Sequence, residues 1–278
     1  MKATYLFFLC LMLTLLACDE LEQPPTNKFV VEAFITADQA ISDIKIKESS
    51  DLIADTLLDV PISDATVRLI SGNENVLLSF NSNSGKYFLD GRDFDITSGQ
   101  TYELLIEANG VNATATTVVP EPPTGLQLSG TVLTIPPLAF NFGLRAQIQQ
   151  LFSEERITFS WASTPGGAYF VVIETLEAEL DPILPPQIPE QSQELLGSFR
   201  FISAPSEDNS FEIIGIALET YGRHVARVYR VNQEYVDLFN SATQDSRDLN
   251  EPPTNLTNAL GIFTAFAVDS LEFEVVRE

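Results

Sequence analysis

Thr101 to Val119 reads TYELLIEANGVNATATTVV. Two strand-length runs flank Asn109-Gly110, a dipeptide that tolerates positive φ at both central positions of a two-residue hairpin. In the second run Val111, Ala113 and Ala115 fall on one face, and Asn112, Thr114 and Thr116 on the other. A period of two with one apolar face is the pattern of a half-buried strand. The stretch predicts an antiparallel hairpin laid against a core.

The same grammar recurs on both sides of it. Phe29-Val-Val-Glu-Ala-Phe-Ile35 is a mostly apolar run between Pro-Thr-Asn and Thr-Ala-Asp. Ala65-Thr-Val-Arg-Leu-Ile70 places Ala65, Val67 and Leu69 on one face. Turn chemistry at Ser71 to Asn75 and at Asn81 to Gly85 brackets a further strand, Val76 to Phe80. Short strands with a turn about every ten residues predict an antiparallel sandwich. Pro120-Glu-Pro-Pro-Thr-Gly125 then reads as a domain boundary, giving a first domain over 28–121 and a second over 122–278.

In the second domain Ile157 to Trp161 alternates, Pro165-Gly166-Gly167 turns, and Tyr169 to Ile173 reads as a buried strand. That order resembles a fibronectin-type arrangement, and it places Trp161 in a core. Phe199 to Ile202, Phe211 to Leu218, Arg223 to Val231, Gly261 to Val268 and Leu271 to Val276 are further strands, while Asp181 to Glu194 is an exposed excursion rich in Pro and Gln. Two helices are expected. One spans Leu144 to Glu155. The other spans 232–244, with Asn232 as cap and Tyr235, Leu238, Phe239 and Ala242 at helical spacing. The fold class is therefore mainly β: two tandem antiparallel β-sandwich-like domains, with one or two short helices in the second.

The N-terminus carries a different signal. Met1 to Cys18 reads MKATYLFFLCLMLTLLAC, with Lys2 as a minimal positive region and Tyr5 to Leu16 as an apolar one. The apolar run is too short for a spanning helix, which needs roughly 20 residues. Leu15-Leu16-Ala17-Cys18 resembles a bacterial lipobox. Residues 1–17 then form a signal peptide, cut between Ala17 and Cys18, and the Cys18 thiol receives diacylglycerol. Acylation of the new amine, with palmitate for example, completes a lipid anchor. Each buried methylene contributes about 0.8 kcal/mol, so several chains hold firmly. Cleavage also discards Cys10, leaving Cys18 as the single cysteine of the mature chain, so no internal disulfide is expected there. Residues 18–27, with Asp19, Glu20 and Glu22 and then Pro24-Pro25, form an acidic tether. This resembles the tract that sends Bacteroidota lipoproteins to the cell surface.

Composition narrows the rest. The chain has 278 residues, 39 acidic against 15 basic side chains, two cysteines and one histidine. A formal charge of -24 excludes a phosphate-backbone binder, and such scarcity of His and Cys excludes a His-rich or thiolate metal centre. No cofactor is expected. His224 is the lone imidazole, and no Gly-x-Ser-x-Gly elbow surrounds a serine, so His224 reads as a structural strand residue. Asp90, Asp93 and Asp95 cluster without the spacing of a calcium-binding EF-hand loop, and turn formation explains them. Asp55-Thr56-Leu57 and Asp269-Ser270-Leu271 resemble a short O-glycosylation motif. Glu251 to Asn258, with Glu251, Pro252, Asn255 and Asn258, has two readings. Turn and cap chemistry joining two elements is the first, and a surface loop that contacts a partner is the second.

Five stretches, taken in order, resemble a Bacteroidota lipoprotein family known as domain of unknown function 4249. They are Phe29-Val-Val-Glu-Ala-Phe-Ile, Pro61-Ile-Ser-Asp-Ala-Thr-Val-Arg-Leu, Gly99-Gln-Thr-Tyr-Glu-Leu, Val228-Tyr-Arg-Val-Asn-Gln-Glu-Tyr, and Glu251-Pro-Pro-Thr-Asn255 with Asn258 and Gly261-Ile-Phe263. The resemblance implies an immunoglobulin-like or carboxypeptidase-regulatory-like first sandwich followed by a second β-rich unit. It also implies genes beside outer-membrane TonB-dependent receptors, and it carries over no catalytic residue. The expectation is a non-enzymatic outer-membrane lipoprotein, facing the cell exterior, that serves as accessory or ligand-binding partner of a TonB-dependent transporter. A structural or adhesive surface module without a small ligand is the alternative, and an enzyme acting on surface glycans stands third.

Overall fold

The hairpin at 101–119 forms as its sequence predicts. In the computed structural model, which describes residues 29–49, 60–91, 94–136, 156–183, 200–215, 218–242 and 253–278, β7 (Thr101–Ala108) and β8 (Val111–Val118) pair antiparallel from Thr101↔Val118 to Ala108↔Val111. Asn109 at φ 51° and Gly110 at φ 74° make the connecting turn, and two successive left-handed residues match the twist of the flanking strands. β3 (Thr66–Ser71) joins the other side of β7, and β4 (Glu74–Leu77) joins β3. The resulting sheet, β4-β3-β7-β8, buries Val67, Leu69, Leu104, Ile106, Ala113 and Ala115. Each buried Leu or Ile contributes roughly 2 kcal/mol.

Opposite lie β1 (Phe29–Thr36), β2 (Asp43–Glu48), β5 (Ser79–Asn81) and β6 (Lys86–Phe88). Their Phe29, Val31, Ile35, Ile44, Ile46 and Tyr87 complete the first core. Two buried tyrosines pin its loops. Tyr102 Oη donates to the Asp95 carbonyl at 2.9 Å and accepts from Thr97 N at 2.8 Å. Tyr87 Oη donates to the Ile62 carbonyl at 2.8 Å and accepts from Ala65 N at 3.0 Å. Burial pushes the Tyr87 phenol up from its ordinary pKa. Sequence reading passes over β2, because only Ile44 and Ile46 interrupt its charges. The ion pair of Lys47 with Glu32 across β1, at 2.5 Å, shows where those charges go. The expected strand at Val76 to Phe80 divides into β4 and β5, with buried Leu78 between them.

Beyond the proline-rich boundary come β9 (Gln127–Leu128), β10 (Val132–Ile135), β11 (Arg156–Ser160), β12 (Ala168–Thr175), β13 (Asp181–Pro182), β14 (Arg200–Ile202), β15 (Ser210–Ile214) and β16 (Thr220–Val231). Trp161, Phe159, Tyr169, Val171, Ile173 and Val228 form the second core, so Trp161 is the core residue that its strand pattern predicts. β15-β11-β9 makes a three-stranded sheet on this side. The expected helix at Leu144 to Glu155 and most of the excursion at Asp181 to Glu194 lie outside the described residues.

The last strand, β17 (Leu260–Arg277), has 18 residues where two strands are expected. It runs antiparallel to β16 and parallel to both β1 and β10. Phe263, Ala265 and Ala267 face the first core, and Phe273 and Val275 the second. Asp269 and Ser270, read from sequence as a break, are exposed residues between the two cores, where the strand has no side chain to bury. The larger sheet therefore runs β14-β12-β16-β17-β1-β2-β6-β5 through both units. The expected division at 121/122 falls between β8 and β9, but the first core also takes Leu256, Ala259 and the start of β17 from the far end of the chain.

One helix is present among the described residues, α1 (Gln233–Ala242). Its Tyr235 and Val236 pack on the outer side of the larger sheet, against Phe170, Tyr229 and Phe266. Phe170 and Tyr229 stack at 4.7 Å, and Tyr235 meets Phe266 edge-on at 5.0 Å. Such contacts contribute about 1 kcal/mol each beyond their burial. Asn232 starts the helix with its carbonyl, which accepts from Tyr235 N at 3.1 Å. Its side chain does not cap the helix as expected but donates from Nδ2 to Thr117 Oγ1 and to the Val118 carbonyl.

Candidate functional site

Of the four residues of the candidate partner loop, Glu251 and Pro252 lie outside the described residues. Asn255 and Asn258 lie inside them, and both bond to backbone. Asn255 exchanges two hydrogen bonds with Phe263: its Nδ2 donates to the carbonyl at 2.7 Å, and its Oδ1 accepts from the amide at 2.9 Å. A side-chain amide thus takes the place of a neighbouring strand at the start of β17. Thr254 Oγ1 accepts from Leu256 N at 3.2 Å, tightening the turn, and Leu256 and Ala259 drop into the first core.

The rest of this loop lies along the free edge of β8. Thr257 donates its amide to the Thr114 carbonyl at 2.8 Å and accepts from Thr114 N at 3.4 Å. Asn258, at φ 63°, donates Nδ2 to the Asn112 carbonyl at 3.0 Å. Farther along, the Asn232 amide takes the Val118 carbonyl at 2.9 Å. An exposed edge strand is a template for pairing with another chain. Here, residues from the second half of the sequence occupy it at Asn112, Thr114 and Val118.

Two open grooves flank this edge. One, of about 380 Å³, lies on the outer face of the four-stranded sheet, over Arg68, Leu105 and Thr114. The other, of about 350 Å³, lies between Thr116, Val118 and the start of α1 at Gln233 and Glu234. Sequence reading gives neither, because a groove depends on which strands are neighbours. The outward alternation of Asn112 and Thr114 in the opening stretch was the one local sign of it.

His224 sits inside the second unit, only 3% exposed. Its Nδ1 lies 3.0 Å from the Gly222 carbonyl and its Nε2 3.3 Å from Thr220 Oγ1. A carbonyl can only accept, so Nδ1 carries the proton and Nε2 accepts from the threonine. The ring stacks on Phe273 at 5.4 Å. Burial pulls the His224 pKa down, which agrees with a neutral imidazole. Both nitrogens are occupied, and Thr220 is itself buried, so this pair offers no exposed nucleophile. Glu219 beside it is pushed up to about 7 by burial, and its Oε2 is buried without a hydrogen-bond partner among the described residues.

Among the described residues, no three His, Cys, Asp or Glu side chains come together as a metal site. Of the aspartate cluster, Asp93 lies outside the described residues, while the Asp95 carbonyl holds Tyr102. Ala17, Cys18 and the Asp55-Thr56-Leu57 tripeptide also lie outside them. Asp269 accepts from Ser270 N through its own Oδ1, a contact between neighbours within the strand.

A family model described as Domain of unknown function (DUF4249) matches residues 18–272. No curated protein matches. Among solved structures, "Crystal structure of chicken CNTN1 FN1-FN3 domains" aligns at 12% identity and a TM-score of 0.26, over 75% of this chain and 60% of that one. The mainly β assignment rests on the strand pairing described above and not on that overlap.

Proposed function

We propose, for a chain that belongs to the DUF4249 family, that it is a lipid-anchored, non-enzymatic lipoprotein of the outer-membrane surface. In this reading it serves a TonB-dependent transporter as accessory or ligand-binding partner. The observation that carries it is the lipobox Leu15-Leu16-Ala17-Cys18 followed by the acidic tether. No helix among the described residues is long and apolar enough to cross a membrane. Tethering near a transporter mouth raises the effective concentration of a captured ligand without any new contact. In this reading His224, buried with both ring nitrogens hydrogen-bonded, is a structural residue.

Affinity capture of a tagged copy from detergent-solubilised envelopes tests this. A TonB-dependent receptor recovered well above background is the expected result. Recovery of none at all argues for the alternative, a structural or adhesive module.

A further inference from the structure

The outer face of the four-stranded sheet is set by what its strands send inward. Because Val67, Leu69, Leu104, Ile106, Ala113 and Ala115 are buried, Thr66, Arg68, Leu105, Glu107, Asn112 and Thr114 must point out. Strand register arranges them in two cross-strand rows, Thr66–Glu107–Asn112 and Arg68–Leu105–Thr114. These six residues line the groove of about 380 Å³, together with Ile106 and Ala113. Thr257, paired with Thr114, extends the second row. The loop from the far end of the chain therefore borders the groove. Its volume is within the range of small-molecule sites.

Arg68 sets the chemistry. In this acidic chain, the cations Lys47, Lys86, Arg156, Arg223, Arg227 and Arg277 all sit in ion pairs. Arg68 makes no ion pair or hydrogen bond to another described residue. Its guanidinium offers five donors in a planar fork and no acceptor, the complement of a carboxylate. Around it, the hydroxyls of Thr66 and Thr114 and the side-chain amide of Asn112 are likewise unclaimed by described residues, and each can both donate and accept. Half-buried Leu105 supplies a small apolar floor. Glu107 places a negative charge one row away, which disfavours a doubly charged phosphate more than a single carboxylate.

From this set we propose that the groove binds a carboxylated saccharide, a uronic acid unit. Arg68 holds the carboxylate, Thr66, Asn112 and Thr114 hold ring hydroxyls, and the apolar face of the ring rests on Leu105. The site does not depend on the lipid anchor or on a transporter partner, so a failure of either leaves it standing. No aromatic ring lines the groove, so binding is weak and sensitive to salt.

The test is titration of the full chain, kept in detergent, with trigalacturonic acid, followed by calorimetry or by ligand-observed NMR. Galactotriose and inorganic phosphate are the comparison probes. Saturable binding of trigalacturonic acid, at least tenfold tighter than either comparison probe, is expected. Arg68→Ala should weaken it about tenfold, as loss of a charge-assisted fork does, with an unchanged melting temperature. Asn112→Ala and Thr114→Val, both away from the core, should each weaken it severalfold. Absence of binding, equal binding of galactotriose, tighter binding of phosphate, or full binding by Arg68→Ala would each overturn the proposal.

Discussion

Gly261 and Val31 stand opposite one another where β17 begins its parallel course beside β1, and the space between them excludes a side chain. A Cβ on Gly261 would lie 2.0 Å from the Val31 carbonyl oxygen, and φ there is +102°. Both constraints act on backbone in the middle of the sheet that joins the two cores, where neither strand can shift alone.

Gly261→Ala is therefore expected to cost about 3 kcal/mol or more, from strained backbone together with forced separation of β1 and β17. For a chain of this size each 1 kcal/mol moves the melting temperature by roughly 2–4 °C. A thermal melt by circular dichroism should fall by about 6–12 °C. A melt within a degree of wild type would show that the two strands do not approach this closely.

Replacing Asn255 separates its two bonds to Phe263. Asn255→Ala removes both and leaves a strand-end amide and carbonyl without a protein partner, at roughly 1–3 kcal/mol. Asn255→Asp keeps the acceptor and loses the donor, so its cost should be the smaller one near neutral pH. Urea denaturation of the two variants gives the ordering. Equal and negligible losses would mean that the loop is not held through Asn255.

Two groups at the start of β16 tilt stability with pH in opposite directions. His224 has a lowered folded pKa, so its contribution is present above its unfolded value of about 6.5 and is lost as pH falls through the folded value. Burial raises the folded pKa of Glu219 to about 7 from its ordinary 4.5, so its contribution is present below 4.5 and is lost as pH rises through 7. Glu219→Gln should then gain stability relative to wild type above pH 7 and show little difference at pH 4. His224→Gln should flatten the loss seen on acidification below pH 6.5. Melting temperatures from pH 4 to 8 read both effects, and a Glu219→Gln difference that does not vary with pH would contradict the first.

Cys18→Ala tests the anchor. Expressed in a lipoprotein-processing host, the wild-type chain should incorporate labelled fatty acid and fractionate with the outer membrane. The variant should do neither. Equal labelling of the two would move the acylation site elsewhere.

Much of the β structure is written locally. The Asn109-Gly110 turn, the inward Val111, Ala113 and Ala115, and the alternation of Leu271, Phe273 and Val275 against Glu272 and Glu274 all appear in the structure as the side-chain pattern requires. The helix at 232–244 appears as Gln233–Ala242, because its apolar spacing is a property of one face. The errors fall where the cause lies elsewhere in the chain. Asn232 is a good cap in isolation, but Thr117 and Val118 lie within reach and take its amide. Asp269-Ser270 looks like a break until the cores on either side are known.

The sequence by itself determined that this protein is mainly β, which side chains face inward, and that Leu15-Leu16-Ala17-Cys18 resembles a lipobox. Those are readings of period two, turn chemistry and short linear motifs, each complete within about a dozen residues. Only the tertiary structure decided that β17 serves both cores, that Thr257 extends the row ending at Thr114, and that Arg68, opposite Leu105, has no ion-pair partner among the described residues. Strand alternation says which face a residue occupies, but its neighbour across the sheet is chosen by pairing between distant segments. That choice depends on how all the buried faces can be satisfied at once.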